Sequence, residues 1–223
     1  MNPLYRLARK IVKSKHLIAD PNLYFDCSKR VENPAVFLTE RNLLNCRALP
    51  SREEMLKRIP TGSVCIEVGV AQGYFSEKIL ETINPQKLYL IEYDADMAGR
   101  LAQKFEAEIR MGRVTVLCGD SVEMLRTIPE SSIDFVYLDA THDYEHPKAE
   151  LEICKNIIKT DGIIAGHDYT RFSMWECSQY GVIEAVNEFC ISNGFEMIYI
   201  TMDVLHSNAS YALMRISDGN KGE

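Results

Sequence analysis

SVCIEVGVAQGYFSEKILETI, at residues 63–83, is the stretch that decides the fold. Its first seven residues are almost continuously apolar, as in a strand that is buried on both faces of a parallel sheet. A short loop between Gly69 and Gly73 follows, and the residues after it have helical periodicity. Glycines let the backbone approach a ligand closely, and a helix that begins at the loop presents its N–H groups there. The stretch therefore predicts a strand–loop–helix unit with a ligand beyond the end of the strand.

The same pattern recurs along the chain. Four further apolar runs are KLYLIEY (87–93), VTVLCG (114–119), IDFVYLD (133–139) and DGIIAGHD (161–168), and periodic segments cover 73–83, 95–110, 121–127, 145–159 and 181–193. Strands that alternate with helices in this way predict a parallel sheet covered on both faces. FEMIYITM (195–202) and SYALMRIS (210–217) are joined by a link too short for a crossover helix, so they must pair antiparallel. We expect an α/β fold with a doubly wound, mostly parallel seven-stranded sheet that ends in an antiparallel hairpin.

Three segments follow from these patterns. We predict that residues 1–50 form a helical and irregular extension, that residues 51–217 form the α/β domain, and that residues 218–223 form a polar tail. The extension begins with an amphipathic stretch that has five basic residues and no acid before position 17. We favour a helix that packs on the domain as an acceptor cap or on a second subunit, which makes a homodimer a hypothesis. The alternative is a helix that binds a membrane surface or an anionic partner.

The composition excludes several classes of function. The chain has 223 residues and a net charge of −7. Residues 1–16 carry five basic residues and no acid, so the rest of the chain, with 20 basic and 32 acidic residues, is strongly acidic. An acidic body argues against a nucleic-acid partner, because a phosphate backbone needs a basic surface. Seven cysteines without a CxxC pair predict neither a disulfide framework nor a zinc site, and they favour a reducing cytoplasm. No apolar run is long enough for a transmembrane segment.

Acidic residues stand at the ends of the first four predicted strands of the domain. They are Glu67, Glu92, Asp120 and Asp139. Each could by itself be a helix cap or a solvated turn residue. Ligands of open α/β sheets bind beyond the carboxyl ends of the strands, so one acid per strand indicates a shared site. The set suits a ligand with a ribose, an adenine and a cationic amino-acid portion. The ExGxxxG spacing of the first loop, unlike GxGxxG, suits a ligand without phosphates.

EVGVAQG, LIEYD, CGDS and YLDATHDYEHPKAELE resemble the successive motifs of class I S-adenosylmethionine (SAM)-dependent methyltransferases. The resemblance covers roughly residues 52–217 and includes the terminal hairpin. It implies that residues 51–217 form a methyltransferase domain with SAM as its cofactor. The residues implied to line the cofactor are Glu67, Gly69, Gln72, Gly73, Tyr74, Phe75, Glu92, Tyr93, Asp120, Ser121 and Asp139.

DATHDYEHPKAELE, DGIIAGHDYT and GVIEAVNEF resemble more narrowly the small bacterial metal-dependent O-methyltransferases that act on sugars and macrolides. This resemblance implies methyl transfer to a hydroxyl of a small acceptor, a sugar or glycosylated metabolite. It also implies Mg²⁺ or Mn²⁺ bound by Asp139, His167 and Asp168. The chain departs from those relatives at Thr141, where they often have an acid, and at His167, where they tend to have a carboxylate. An imidazole ligand is more natural for Mn²⁺ than for Mg²⁺.

Asp139 and His142 are our catalytic candidates, with Asp139 expected between cofactor and acceptor. His142 follows Asp139 in the same loop and is our candidate general base, because an unperturbed imidazole titrates near neutral pH. The alternative is a structural residue that hydrogen-bonds Asp139 or a backbone carbonyl. Aromatic and basic side chains near the strand ends predict a wall for the acceptor, with packing of the loop onto the sheet as the alternative. The acceptor-binding candidates are Tyr144, Tyr169, Arg171 and Trp175.

Three other functions stay open at this stage. One is a metal-independent small-molecule methyltransferase, and another is a non-catalytic nucleotide-binding or interaction module, since a fold alone does not imply activity. The third is an oxidoreductase, which the ExGxxxG spacing and the terminal hairpin disfavour. Four strand-end acids favour the enzyme over the module, because a module without a cofactor has no need of all of them.

Overall fold

The computed structural model describes residues 33–173, 178–203 and 208–217. The predicted basic helix, the polar tail and Trp175 lie outside these residues, so those expectations stay predictions. The helices are α1 (Glu40–Leu43), α2 (Arg52–Leu56), α3 (Tyr74–Ile83), α4 (Ala95–Lys104), α5 (Glu106–Arg110), α6 (Ser121–Leu125), α7 (Glu145–Ile157) and α8 (Val182–Asn193). The strands are β1 (Arg47–Leu49), β2 (Val64–Val68), β3 (Lys87–Glu92), β4 (Val114–Cys118), β5 (Ile133–Leu138), β6 (Ile158–Gly166), β7 (Phe172–Ser173), β8 (Ser178–Gln179), β9 (Phe195–Thr201) and β10 (Tyr211–Arg215).

The main sheet has the strand order β1-β9-β10-β6-β5-β2-β3-β4. Strand β10 runs antiparallel to both β9 and β6, and the other neighbouring pairs are parallel. The order reverses at β2, whose neighbours are β3 on one side and β5 on the other. This reversal places the loops after β2 and β5 side by side, where open α/β sheets bind their ligands. The mostly parallel sheet and the terminal hairpin are confirmed.

The prediction of seven strands is wrong, because the sheet has eight. The additional strand β1 lies in the segment that the sequence pattern assigned to the N-terminal extension. Its residues pair in parallel with β9, from Arg47 opposite Tyr199 to Leu49 opposite Thr201. Only Leu49 of the three is buried, so β1 lacks the apolar run that identified the other strands. Strands β7 and β8 form a separate two-stranded ribbon.

The sheet is covered by an apolar core on each face. Successive residues of a strand point to opposite faces, so Cys65 packs in one core and Ile66 in the other. The core that contains Ile66 includes Leu151 of α7 and Phe189 of α8. The core that contains Cys65 includes residues of α2, α3 and α4. Helices on both faces confirm the doubly wound architecture.

Two helical segments differ in detail from the sequence pattern. The periodic segment 95–110 is divided into α4 and α5 at Phe105, whose buried ring packs in the core with α3 and α4. Helix α6 ends at Leu125, before the end of the periodic segment 121–127, and its N-cap is Asp120, which accepts a hydrogen bond from the backbone N–H of Glu123 at 3.1 Å. Among the described residues, no helix has the length and apolarity that crossing a membrane requires.

Candidate cofactor and metal site

The loop after β2 depends on Gly69. This residue has φ +79°, a conformation that side chains rarely adopt, and a Cβ at this position would lie 1.9 Å from the backbone oxygen of Asp139. The backbone N–H of Asp139 donates to the carbonyl of Val68 at 2.8 Å. The ends of β2 and β5 therefore meet backbone to backbone. Only glycine permits this approach, which brings Asp139 beside the loop.

Gly73 ends the same loop and begins α3. It has φ +73°, and an added Cβ would lie 2.8 Å from Leu101 and 2.9 Å from Phe105. The loop is thus pressed against the apolar side of α4. Lys104 of α4 also donates to the carbonyl of Gln72 at 3.0 Å. These contacts fix the backbone that the sequence predicts to lie under the cofactor.

Glu67 is 2% exposed and accepts a hydrogen bond from the hydroxyl of Ser76 in α3. Desolvation by burial raises the pKa of Glu67 to about 8, although the hydrogen bond from Ser76 lowers it. A carboxyl group in this state is largely neutral at pH 7. Glu67 therefore links β2 to α3 beneath the loop, and direct contact with the cofactor stays a prediction.

Glu92, at the end of β3, holds two backbone segments. One carboxylate oxygen accepts from the N–H of Ala71 at 2.8 Å and the other from the N–H of Asp94 at 2.9 Å. An ionised carboxylate has about four acceptor positions, so two remain for ligand hydroxyls. This residue both positions the glycine loop and keeps capacity to bind a ribose.

Asp120 and Ser121, after β4, have separate partners. Asp120 caps α6, and its second oxygen lies 3.6 Å from Nε2 of His146. Ser121 donates to Glu150 of α7, which is 1% exposed. Desolvation raises the pKa of Glu150 to about 7 against the hydrogen bond from Ser121. Sequence patterns do not indicate Glu150, since it lies in the middle of an ordinary amphipathic helix.

The aromatic residues predicted at the cofactor differ in exposure. Tyr74 is 68% exposed and Tyr93 is 78% exposed, and Nζ of Lys104 lies 4.8 Å from the centroid of the Tyr74 ring. Contact of either ring with the cofactor stays a prediction. Phe75 is buried, and its ring centroid lies 4.3 Å from that of Tyr137. It forms the floor of the site.

Asp139, His142 and Asp168 converge at the ends of β5 and β6. Nε2 of His142 lies 2.7 Å from a carboxylate oxygen of Asp168 and 3.9 Å from Oδ1 of Asp139. Each of the three residues offers one potential ligand atom, and these three atoms all lie within 4.8 Å of one another. Nε2 of His142 is buried, and its contact with Asp168 lacks the alignment of a hydrogen bond. A buried nitrogen that faces two carboxylates without an aligned partner fits a divalent cation.

The charges in this cluster shift the pKa values of His142 and Asp168 in opposite directions. Desolvation lowers the pKa of His142, but Asp139 and Asp168 outweigh it and raise the pKa to about 10. Burial raises the pKa of Asp168, but His142, His167 and Asn208 outweigh it and hold that pKa well below its usual range. Without a cation, His142 is protonated at neutral pH and has no lone pair to accept a proton. The general-base role of His142 stays a prediction that this charge distribution does not favour.

The group of three candidate ligands includes His142, whereas the resemblance implied His167 as the histidine that binds the metal. Nδ1 of His167 lies 3.0 Å from Oδ1 of Asp168 and 3.9 Å from Oδ1 of Asp139, so it borders the cluster. The ring of His142 stacks on Tyr180 with centroids 4.4 Å apart, and its carbonyl accepts from the N–H of Gly181 at 2.7 Å. These contacts, made by residues just before α8, hold His142 toward Asp168.

The described acceptor-binding candidates have partners on helix α8. The hydroxyl of Tyr169 donates to Asn187 at 2.7 Å, and Nε of Arg171 lies 2.9 Å from Glu184. Tyr144 donates to Glu188 in a cluster that also includes Lys148. The contacts correspond to the packing alternative, and a role for these residues at an acceptor stays a prediction.

Arg52, the first residue of α2, is a site residue that the sequence patterns missed. Its NH1 lies 3.6 Å from Oδ2 of Asp139, and its guanidinium carbon lies 4.6 Å from the centroid of the Phe75 ring. Its side chain is 28% exposed. The position becomes apparent only from tertiary structure, because α2 precedes β2 and has no motif that links it to β5.

Comparison with known proteins identifies the class of this domain. Residues 66–169, which run from β2 to just past β6, match the family model described as a methyltransferase domain. This segment is therefore similar to a methyltransferase domain, and the sheet has the fold of class I SAM-dependent methyltransferases. The match includes the glycine loop and the Asp139–His142–Asp168 cluster. No curated protein has significant sequence similarity to the chain.

Solved structures of methyltransferases share the fold at low sequence identity. A SAM-dependent methyltransferase from Aquifex aeolicus is 17% identical, with a TM-score of 0.57 over 75% of this chain and 91% of that one. The m1A22 tRNA methyltransferase of B. subtilis is 13% identical, with a TM-score of 0.57 over 76% and 67%. Geranyl diphosphate C-methyltransferase from Streptomyces coelicolor A3(2), solved with Mg²⁺, geranyl diphosphate and S-adenosyl-L-homocysteine (SAH), is 10% identical, with a TM-score of 0.59 over 74% and 80%. These similarities concern the fold, and the second and third of these proteins are described with different acceptors, a tRNA and geranyl diphosphate.

Proposed function

We propose that the protein is a SAM-dependent O-methyltransferase that acts on a hydroxyl of a small acceptor, a sugar or glycosylated metabolite, with the help of a divalent cation. The observation that carries this proposal is the cluster of Asp139, His142 and Asp168 beside the glycine loop. The cluster combines two carboxylates and one imidazole, and this donor set suits Mn²⁺ better than Mg²⁺. When bound, such a cation lowers the pKa of a coordinated hydroxyl and stabilises the alkoxide charge.

The protein's own residues supply the positioning. The backbone around Gly69 and Gly73 would support the cofactor, and Glu92 retains acceptor positions for ribose hydroxyls. Methyl transfer is an in-line displacement, so its rate depends on holding the sulfonium methyl and the acceptor oxygen in line. Asp139 adjoins the glycine loop and belongs to the cluster, so in this proposal the methyl donor and the acceptor oxygen would lie on its two sides.

The charge of the chain supports a small acceptor over a nucleic acid. The net charge of −7 gives a polynucleotide no general attraction. The high pKa of His142 weighs against the metal-independent alternative in which this residue removes the acceptor proton. A cation would instead replace the proton on the imidazole, which then serves as a ligand.

Two titrations test the proposal. Calorimetric titration of SAH should show binding to the purified protein, and Mn²⁺ titration followed by electron paramagnetic resonance should show one site. Asp168→Asn should weaken Mn²⁺ binding by at least tenfold, because it removes a charged ligand. Asp161→Asn is the matched control, since Asp161 is exposed at a distance along β6 from the cluster.

The outcomes separate the alternatives. SAH binding without a Mn²⁺ site would favour the metal-independent methyltransferase. Absence of SAH binding would favour the non-catalytic module. Equal Mn²⁺ affinity in the Asp168→Asn and Asp161→Asn variants would remove the cluster from the proposal.

A further inference from the structure

The charges around the glycine loop pose a problem for binding SAM. The methionine portion of SAM has a sulfonium and an ammonium, which suit a site bordered by Asp139 and Glu92, but it also has a carboxylate. A carboxylate among acidic side chains needs a nearby cation or several hydrogen-bond donors to offset its desolvation. Arg52 is a half-buried cation at this place, and nothing in the proposed methyl transfer yet uses it.

Arg52 is held by contacts on both its backbone and its side chain. Its backbone N–H donates to Asp203 at 3.3 Å, and Ser51 caps the helix by accepting from Glu54. Its guanidinium lies over Phe75, the second residue of α3. A ring below the guanidinium fixes the plane of the group and leaves the N–H groups at its edge available.

The contact between Arg52 and Asp139 does not use up these donors. The separation of 3.6 Å between NH1 and Oδ2 is an ion pair but longer than a hydrogen bond. A guanidinium has five N–H donors arranged to bind a carboxylate with two parallel hydrogen bonds. Part of the fork also interacts with the hydroxyl of Tyr137, and the rest of it lies beside Asp139 and Phe75.

We propose that Arg52 binds the α-carboxylate of the methionine portion of SAM. The inference rests on SAM being the cofactor, as proposed above, and it assigns a binding residue outside the motifs of the family resemblance. The ring of Phe75 orients the guanidinium, and Asp139 lies on its other side. Arg52 would thus set the position of the amino-acid end of the cofactor, opposite the ribose end at Glu92.

The test compares two ligands that differ only at the carboxylate. SAH and decarboxylated SAH (S-adenosyl-3-thiopropylamine) are titrated calorimetrically into the wild-type protein and into Arg52→Gln. SAH affinity should fall about 10- to 100-fold in Arg52→Gln, since hydrogen bonds to charged groups are among the strongest single contacts. The affinity for decarboxylated SAH should be the same in both proteins. Arg52→Lys should retain part of the preference for SAH, because it keeps the charge without the fork.

Arg58→Gln is the matched control, because Arg58 follows the same short helix and is exposed. It should leave both affinities unchanged. A parallel loss of affinity for the two ligands in Arg52→Gln would mean that Arg52 shapes the pocket or holds Asp139, and it would overturn the proposal. Unchanged SAH affinity would overturn it as well. Wild-type protein that binds neither ligand would refute the cofactor assignment itself, which is a different result from losses confined to Arg52 variants.

Discussion

Replacement of Gly69 by alanine is the most informative perturbation of the site. The new Cβ would lie 1.9 Å from the backbone oxygen of Asp139. Carbon–oxygen contacts in proteins are about 3.3 Å or longer, so one of the two loops must move by about 1.4 Å. Neither atom belongs to a flexible side chain, and the movement therefore displaces the backbone of β2 or β5 at the site.

Two penalties add up in Gly69→Ala. The left-handed φ of +79° costs an alanine about 1–2 kcal/mol, and the overpacking costs about 1–3 kcal/mol more. Displacement of about 1 Å at a reacting centre reduces rates about 100-fold. We expect kcat/KM for methyl transfer to fall by about this factor, and the free energy of unfolding to fall by about 2–5 kcal/mol.

Gly62→Ala separates the two penalties. Gly62 has φ +81°, nearly the same conformation, but nothing lies within 4 Å of an added Cβ. This control should lose only the conformational part, about 1–2 kcal/mol in chemical denaturation, and should keep full affinity for SAH. If both variants lost the same stability and Gly69→Ala bound SAH normally, the close approach of β2 and β5 would not be what organises the site.

Three further predictions concern single residues. The raised pKa of Glu67 means that the folded state holds this proton more tightly than the unfolded state, so its contribution to stability falls as pH rises from about 4.5 to about 8; Glu67→Gln should flatten that decline in thermal unfolding from pH 5 to 8. A Cβ on Gly181 would lie 2.6 Å from the backbone of Tyr144, so Gly181→Ala should displace His142 and weaken Mn²⁺ binding in paramagnetic resonance titrations at least threefold; unchanged affinity would show that Gly181 does not position His142. Gly99 is exposed within α4 with free space around it, so Gly99→Ala should raise stability in denaturant by about 0.5–1 kcal/mol without changing SAH affinity.

Much of the fold could be predicted because parallel strands buried on both faces leave strong apolar runs. The run at 63–69 became β2, and the short link after 195–202 required the antiparallel hairpin that β9 and β10 form. Strand β1 could not be found in this way. It has three residues, two of them exposed, and it is a strand only because the edge of β9 is available to pair with it.

The sequence could predict those residues of the candidate site that directly follow a strand. Residues that directly follow strands, such as Asp139 and Asp168, lie together because parallel strands end at one edge. Which histidine lies against them depends on the conformation of the loops, in which His142 stacks on Tyr180. The position of Arg52 depends on how α2 packs across the sheet, which no local pattern encodes.

Asp139 has its two oxygens turned to different neighbours. Oδ2 faces Arg52, while Oδ1 faces the two histidines at 3.9 Å. A ligand that binds on one side of Asp139 therefore affects the orientation of the same carboxylate that a ligand on the other side contacts. Such linkage is reciprocal: the factor by which Mn²⁺ alters the affinity for SAH must equal the factor by which SAH alters the affinity for Mn²⁺. In the proposed function, a single side chain would thereby couple the binding of the methyl donor to the binding of the cation.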